Sequence, residues 1–366
     1  MIRNTPELTH VCEALRQRGV AAVDTEFVWS RTYRPRLGLV QVGSAAGEGW
    51  AIDCLSGASP APLGDLLADD GTVKILHDAQ QDLEHLVHYT HASPRNVFDT
   101  RLAAGFAGFP STIGLQKLLE ETLNVGLPKT ETLTDWCRRP LTDAQIEYAL
   151  DDVRYLAELR EDLLARASKL GTADYLAEEL RRYDDPARYD DPDPAEVWRR
   201  IKGAGRLSPR ECARLRELAA ARESTARTWN LPRTWLADDP SLLEIAQDPG
   251  DLRFRHRLRN QGQKATVASF YAAALRRADA LPDDALPDPP SHFIPVAVRD
   301  RVDPALEFLR QRAEEVHIDV AVFASRATLT SFLDDPGNPD NPLSCGWRHE
   351  LAGRDIAARF APPTLF

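Results

Sequence analysis

Apolar positions in the first half of the chain switch repeatedly between helical spacing and strict alternation. Residues 5–18 carry the helical pattern, with Thr5 as the expected cap and Pro6 in the first turn. Residues 19–28 alternate as a strand, followed by strands over 36–43 and 49–53 whose short connections predict an antiparallel meander. A helix over 62–68 then leads to Thr72-Val73-Lys74-Ile75-Leu76, a short apolar run of the buried parallel type. A helix over 79–89, a strand at 96–98, helices near 100–107 and 113–121, and one long helix from Thr142 to about Ser168 complete this part. Three leading strands followed by alternating helix and strand predict an α/β domain over 1–182, a mixed sheet flanked by helices. The acidic, proline-rich stretch 183–193 cannot continue a helix and reads as a linker. Residues 194–280 are helical in pattern, 281–290 form a second linker, and 291–366 are helical again around a loop at 335–342. The two all-α domains are candidates for a diverged pair.

Composition narrows the class. No apolar run approaches the roughly 20 residues that span a bilayer, and the N-terminus lacks an apolar signal region, so an intracellular, cytoplasmic protein is expected. Five scattered cysteines form neither a disulfide framework nor a zinc motif. Nothing resembles a dimerisation seam, and a monomer is expected. The net charge of −11 argues against a nucleic-acid partner until its distribution is considered. Residues 194–280 hold 17 Lys and Arg against 10 Asp and Glu, a basic island in an acidic chain. Such an island suits a module that touches phosphates; a helical segment using Arg for its solvated faces is the alternative.

Candidate chemistry centres on Val23-Asp24-Thr25-Glu26-Phe27. Side chains two apart on a strand project from one side, so Asp24 and Glu26 hold like charges a few ångströms apart. A cation relieves that repulsion; a solvated strand end would also tolerate it. Asp82 falls in the first turns of the helix that starts at a strand end, where it could face this pair. Tyr148 and Asp152, at i and i+4, share one face of a strong helix. Four carboxylates and a phenol on three elements are what two-metal phosphodiester hydrolysis uses: oxygen ligands for two Mg²⁺ or Mn²⁺ ions and a group that positions water. Asp99 reads as a helix cap, Asp53 and Asp78 as caps or turn residues, and Asp151, about 100° around the helix from Asp152, as solvated.

The runs Asp24-Thr25-Glu26-Phe27, Gln81-Asp82-Leu83-Glu84 and Tyr148-x-x-x-Asp152 resemble the three exonuclease motifs of the DEDD superfamily, in its tyrosine-containing branch. The segments 31–41, 128–131 and 134–141 narrow the resemblance to the ribonuclease D family. Residues 194–280 resemble an HRDC module, and 291–366 look like a weaker second copy. The resemblance implies a ribonuclease H-like exonuclease fold, with Asp24, Glu26, Asp82 and Asp152 as metal ligands and Tyr148 positioning the water. It further implies 3′→5′ hydrolysis that releases nucleoside 5′-monophosphates, trimming tRNA precursors and other small structured RNAs. A DNA exonuclease of the same superfamily and a non-catalytic RNA-binding scaffold are the competing readings.

Weaker candidates surround this set. Phe27 either stacks on a terminal base or fills core. Gln41 and His77 either touch substrate or are structural, and Lys129 either reaches a phosphate or is an exposed loop lysine. Arg199, Arg200, Lys202 and Arg206, together with Arg253, Arg255 and Arg257, form two basic patches suited to the RNA backbone.

Overall fold

The alternating segments assemble into one sheet in the computed structural model, which describes residues 1–29, 31–127, 134–250, 252–290 and 294–360. After α1 (Thr5–Arg18) come β1 (Val20–Val28), β2 (Arg36–Gly43) and β3 (Gly49–Asp53), then α2 (Ala61–Ala68), β4 (Val73–Leu76), α3 (Ala79–Thr90) and β5 (Val97–Asp99). The strand order is β3-β2-β1-β4-β5. β2 and β3 are antiparallel, with Gln41 opposite Ala51, while β1, β4 and β5 run parallel, with Ala22 opposite Ile75. Alternation along β1 sends Ala21 and Val23 into a core with Leu8, Leu15, Leu66 and Leu83 of α1, α2 and α3. Ala22 faces the other way, toward helices that follow later in the chain. The side chain that caps α1 is Asn4, which accepts the Glu7 amide, and not Thr5.

Beyond β5 lie α4 (Thr100–Ala104), α5 (Leu115–Leu123), α6 (Asp143–Arg154), α7 (Leu156–Leu170) and α8 (Ala173–Leu180). The single helix expected over 142–168 is therefore two, parted at Tyr155. Thr142 and Gln145 close a capping box at the start of α6. α6 packs on β1 and β3, whereas α7 packs on α4, β1 and β4. Two different packing surfaces need two helix directions, and the apolar spacing carries no mark of the break.

Contacts group the chain into two compact units: residues 1–28, 37–189 and 294–366 in one, and 29–36 with 190–293 in the other. The second unit contains α9 (Pro209–Trp229), α10 (Arg233–Leu236), α11 (Asp239–Gln247) and α12 (Gln261–Asp279), around a core that includes Trp198, Leu215, Leu218 and Tyr271. Within it the buried Glu223 accepts from the Tyr33 hydroxyl, from Arg227 at 3.2 Å and from Arg233 at 3.4 Å. Residues 252–260, expected to be helical, carry no helix.

The last helices belong to the first unit. α13 (Val296–Glu315), α14 (Val320–Phe323), α15 (Arg326–Asp334), α16 (Gly346–Arg348) and α17 (Arg354–Phe360) bury Ala305, Leu309, Phe323 and Trp347 in one core with Phe106, Leu159 and Leu163. Glu179 accepts from Trp347 Nε1 at 3.1 Å and from Arg182 at 2.8 Å, and pairs with Arg348. The sequence boundary at 290/291 thus marks a change of pattern, while the apolar faces beyond it are covered by α7 and α8. α13–α15 repeat α9–α11 at a constant interval. Left-handed residues fall at Asn230 and His317, extended Ala237 and Ala324 share φ and ψ to within a degree, and Asp238 and Ser325 are both N-caps. No helix among the described residues is long and apolar enough to cross a membrane.

Candidate metal centre

Asp24 and Glu26 leave the same face of β1, and α6 crosses that face carrying Asp152. One carboxylate oxygen from each of the three lies within 4.8 Å of the others. Asp82, in the first turn of α3, is outside this cluster but beside it. The Thr25 hydroxyl, on the opposite face of β1, donates to Asp82 and holds it. Tyr148 stands one turn before Asp152 on α6, its ring stacked on Trp136 at 6.2 Å and 23°.

Burial and mutual repulsion raise all four acids. Asp24 is pushed well above the ordinary carboxylate range by burial, then by the charges of Asp82, Asp152 and Glu26. Glu26 rises to about 8 by burial and by Asp152 and Asp82. Asp82 reaches about 7, mainly by burial and against the Thr25 hydrogen bond, and Asp152 about 7, by burial and the neighbouring Asp151. Among the described residues no Lys or Arg pairs with any of the four. Hard oxygen donors, crowded and unneutralised, fit a divalent cation.

A pH dependence follows. Each folded pKa lies above its unfolded value near 4, so protons bind the folded state more tightly. The stability this confers is complete below about pH 4 and is lost as pH rises through about 7 to 8. In chelator, the melting temperature should fall between pH 5 and 8, and Mg²⁺ should recover most at the alkaline end, where protons no longer compete. Differential scanning calorimetry with and without Mg²⁺ measures this; a metal-induced gain that is flat across that window would contradict it.

Around the acids, two networks place the elements. Arg139 Nε and Nη2 grip Asp53 at 3.1 and 2.6 Å, Nη2 reaches the Gly38 carbonyl at 2.8 Å, and Nη1 the Trp136 carbonyl at 2.8 Å. This fastens the segment before α6 to β2 and β3. Burial alone would raise Asp53, but Arg139, the Leu55 amide and Arg3 bring it below its usual range. Gly38 passes so close that a methyl group there would overlap the Trp136 carbonyl. Gly38→Ala should therefore cost about 1–3 kcal/mol, read by urea unfolding; an unchanged midpoint would argue that the two backbones separate freely. In the second network, Asp99 caps α4 as expected and also accepts the Asp78 and Ala79 amides at 3.0 and 3.1 Å and the Tyr183 hydroxyl at 2.6 Å. It thereby orients the start of α3, which carries Asp82.

Sequence reasoning assigned Asp53 and Asp99 local duties and overlooked Arg139, whose signal was its place in the Thr134–Leu141 run. Phe27 is half-buried, edge-on to His85 at 4.2 Å. His77 Nδ1 pairs with Thr100 Oγ1 at 2.9 Å, and burial lowers its pKa. Gln41 has no exposed surface. Lys129 lies outside the described residues. In the second unit, Arg199 pairs with Glu196 and lies over the Trp198 ring, while Arg200, Lys202 and Arg206 are exposed. Exposure alternates over 252–259: Arg253, Arg255, Arg257 and Arg259 face solvent, and Leu252, Phe254, His256 and Leu258 are half-buried. Arg255 pairs with Asp238 at 3.0 Å.

Residues 1–167 match a family model described as a 3′-5′ exonuclease. A ribonuclease D of Desulfotalea psychrophila is 44% identical over 246 residues, 67% of this chain and 66% of its own length. One from Gluconacetobacter diazotrophicus is 37% identical over 98% of this chain and 92% of its own. The crystal structure of Escherichia coli RNase D, described as an exoribonuclease involved in structured RNA processing, superposes with a TM-score of 0.87 at 29% identity, covering 99% of both chains.

Proposed function

Because this chain belongs to the ribonuclease D family and is an exoribonuclease, we propose that it removes nucleotides from RNA 3′ ends by two-metal-ion hydrolysis, releasing nucleoside 5′-monophosphates. The observation that carries this reading is the convergence of Asp24, Glu26 and Asp152 oxygens within 4.8 Å, with Asp82 held alongside. Those four side chains would hold the ions, Mg²⁺ or Mn²⁺. When bound, the ions supply Lewis-acid stabilisation of the attacking water and the departing 3′ oxygen. The part of Tyr148 is to orient the water, its ring braced by Trp136. Thr25 holds Asp82 beside the cluster, and Arg139 fastens the segment before α6 to β2 and β3.

The substrates in this reading are tRNA precursors and other small structured RNAs with 3′ extensions. The segments 194–280 and 291–366 are an HRDC module and its diverged copy, which the repeated α9–α11 and α13–α15 geometry supports. The exposed Arg253, Arg255 and Arg257 edge and the exposed Arg200, Lys202 and Arg206 bind RNA phosphates without reading sequence. Replacing Arg253 and Arg257 together by Ala should weaken RNA binding by a similar factor for unrelated sequences and lower the salt slope by about 2. The deciding assay is 3′ trimming of a tRNA precursor, beside a matched DNA strand and with chelator as control. Shortening of RNA that stops in chelator is expected; faster loss of DNA, or trimming indifferent to chelator, would overturn the proposal.

A further inference from the structure

Gln41 lies in the middle of β2 with none of its surface exposed, and neither its Oε1 nor its Nε2 has a hydrogen-bond partner. An amide buried and unsatisfied in this way destabilises the fold unless a partner is supplied. Apolar residues occupy the neighbouring positions Leu39, Val40 and Val42, so the interior of β2 has no general need of an amide.

Its direction follows from alternation. Val40 and Val42 enter the core beneath α1, α2 and α3, whereas Leu39 packs with Trp136 and Ala149 on the side of α6. Gln41 shares the face of Leu39. Gly43, on that same face, sets the lateral register: a Cβ there would lie 3.2 Å from Ala22 Cβ and 3.1 Å from the Val153 carbonyl. β1 and β2 are adjacent strands joined through one reversal of the chain. Two residues back from Gly43 along β2 and two forward from Ala22 along β1 bring Gln41 beside Asp24. Val153, which meets Gly43, directly follows Asp152. The unpaired amide is thus aimed into the space where the two elements of the acidic cluster meet.

We propose that Gln41 is a positioning residue of the metal centre, its Nε2 donating to one oxygen of the Asp24 carboxylate when a divalent cation is bound. The inference rests on the reading of Asp24, Glu26 and Asp152 as ligands. An acidic side chain that coordinates a cation through one oxygen leaves the other with capacity to accept, and a fixed donor there sets the orientation of the carboxylate. The amide remains unmatched without the ion and is paired with it, so its contribution appears in metal affinity, not in the fold of the metal-free chain.

The test is Mn²⁺ titration by calorimetry, without RNA, on the full chain and on Gln41→Met, which keeps length and flexibility but cannot hydrogen-bond. Mn²⁺ affinity should fall about 10–100-fold, the usual range for loss of a residue that orients a ligand, while the melting temperature in chelator stays level or rises. Gln41→Leu serves if the Met variant does not fold. Wild-type affinity in Gln41→Met, or a melting temperature that drops equally with and without Mn²⁺, would assign the amide a purely structural part and overturn the inference. Asp24→Asn separates the two levels. If it loses Mn²⁺ while Gln41→Met retains it, this inference alone fails; if Asp24→Asn binds like wild type, the reading of the metal centre fails with it.

Discussion

Asp24→Asn should lower kcat by about 10³-fold or more while leaving RNA affinity within a few-fold of wild type. A metal ion contributes several kcal/mol of transition-state charge stabilisation, and each 1.36 kcal/mol is tenfold in rate. Asp24 is the acid on which the other three act most heavily, its charge opposed by burial and by Asp82, Asp152 and Glu26. Removing it takes one anion from the cation's surroundings at the point where they meet. The same change relieves repulsion in the metal-free protein, so in chelator above pH 7 the variant should melt no lower than wild type. Rate and stability then move apart, which a folding defect would not produce. Single-turnover kinetics with Mg²⁺ and a melting curve in chelator measure both. A variant that keeps kcat within tenfold of wild type would remove Asp24 from the mechanism.

Arg139→Ala should destabilise the first unit by about 3–5 kcal/mol, the scale seen when one partner of a buried ion pair is removed and the other is left uncompensated. Asp53 is 6% exposed, and its principal cation is Arg139, which also satisfies the carbonyls of Gly38 and Trp136. Five acceptor atoms, the two Asp53 oxygens and the carbonyls of Gly38, Trp136 and Arg138, are held by one planar guanidinium, so Arg139→Lys should recover little of the loss. Because α6 begins four residues beyond Arg139 and bears both Tyr148 and Asp152, the surviving folded fraction should also turn over more slowly. Urea unfolding of Arg139→Ala, Asp53→Leu and the double variant tests the claim. The double variant should be more stable than Arg139→Ala alone, and a loss below about 1 kcal/mol in the single variant would mean that the clamp is incidental.

How far the centre was legible differs from residue to residue. Asp24 and Glu26 were paired by alternation, and Tyr148 and Asp152 by helical spacing, both being relations within five residues. Asp82 was placed in the right turn of the right helix, but the Thr25 hydroxyl that steadies it lies 57 positions away, on the other face of β1. Gln41 read as an amide in need of partners; that it lacks them appears only in the folded chain. Asp53 read as a turn residue, which it is through the Leu55 amide at 3.1 Å, yet its larger engagement is with Arg139, 86 positions on.

The sequence by itself determined the strands, the helices α1 to α5, and which acids share a face, because backbone geometry converts spacing of two or of four directly into orientation. Tertiary structure alone decided that the helix expected over 142–168 turns at Tyr155, that α13–α17 share the core of Phe106 and Leu163, and that Arg139 locks α6 to β2 and β3. Local periodicity records only that a face will be buried. What buries it depends on complementary shape and charge supplied from remote parts of the chain, and no short window of residues contains both halves of such a match.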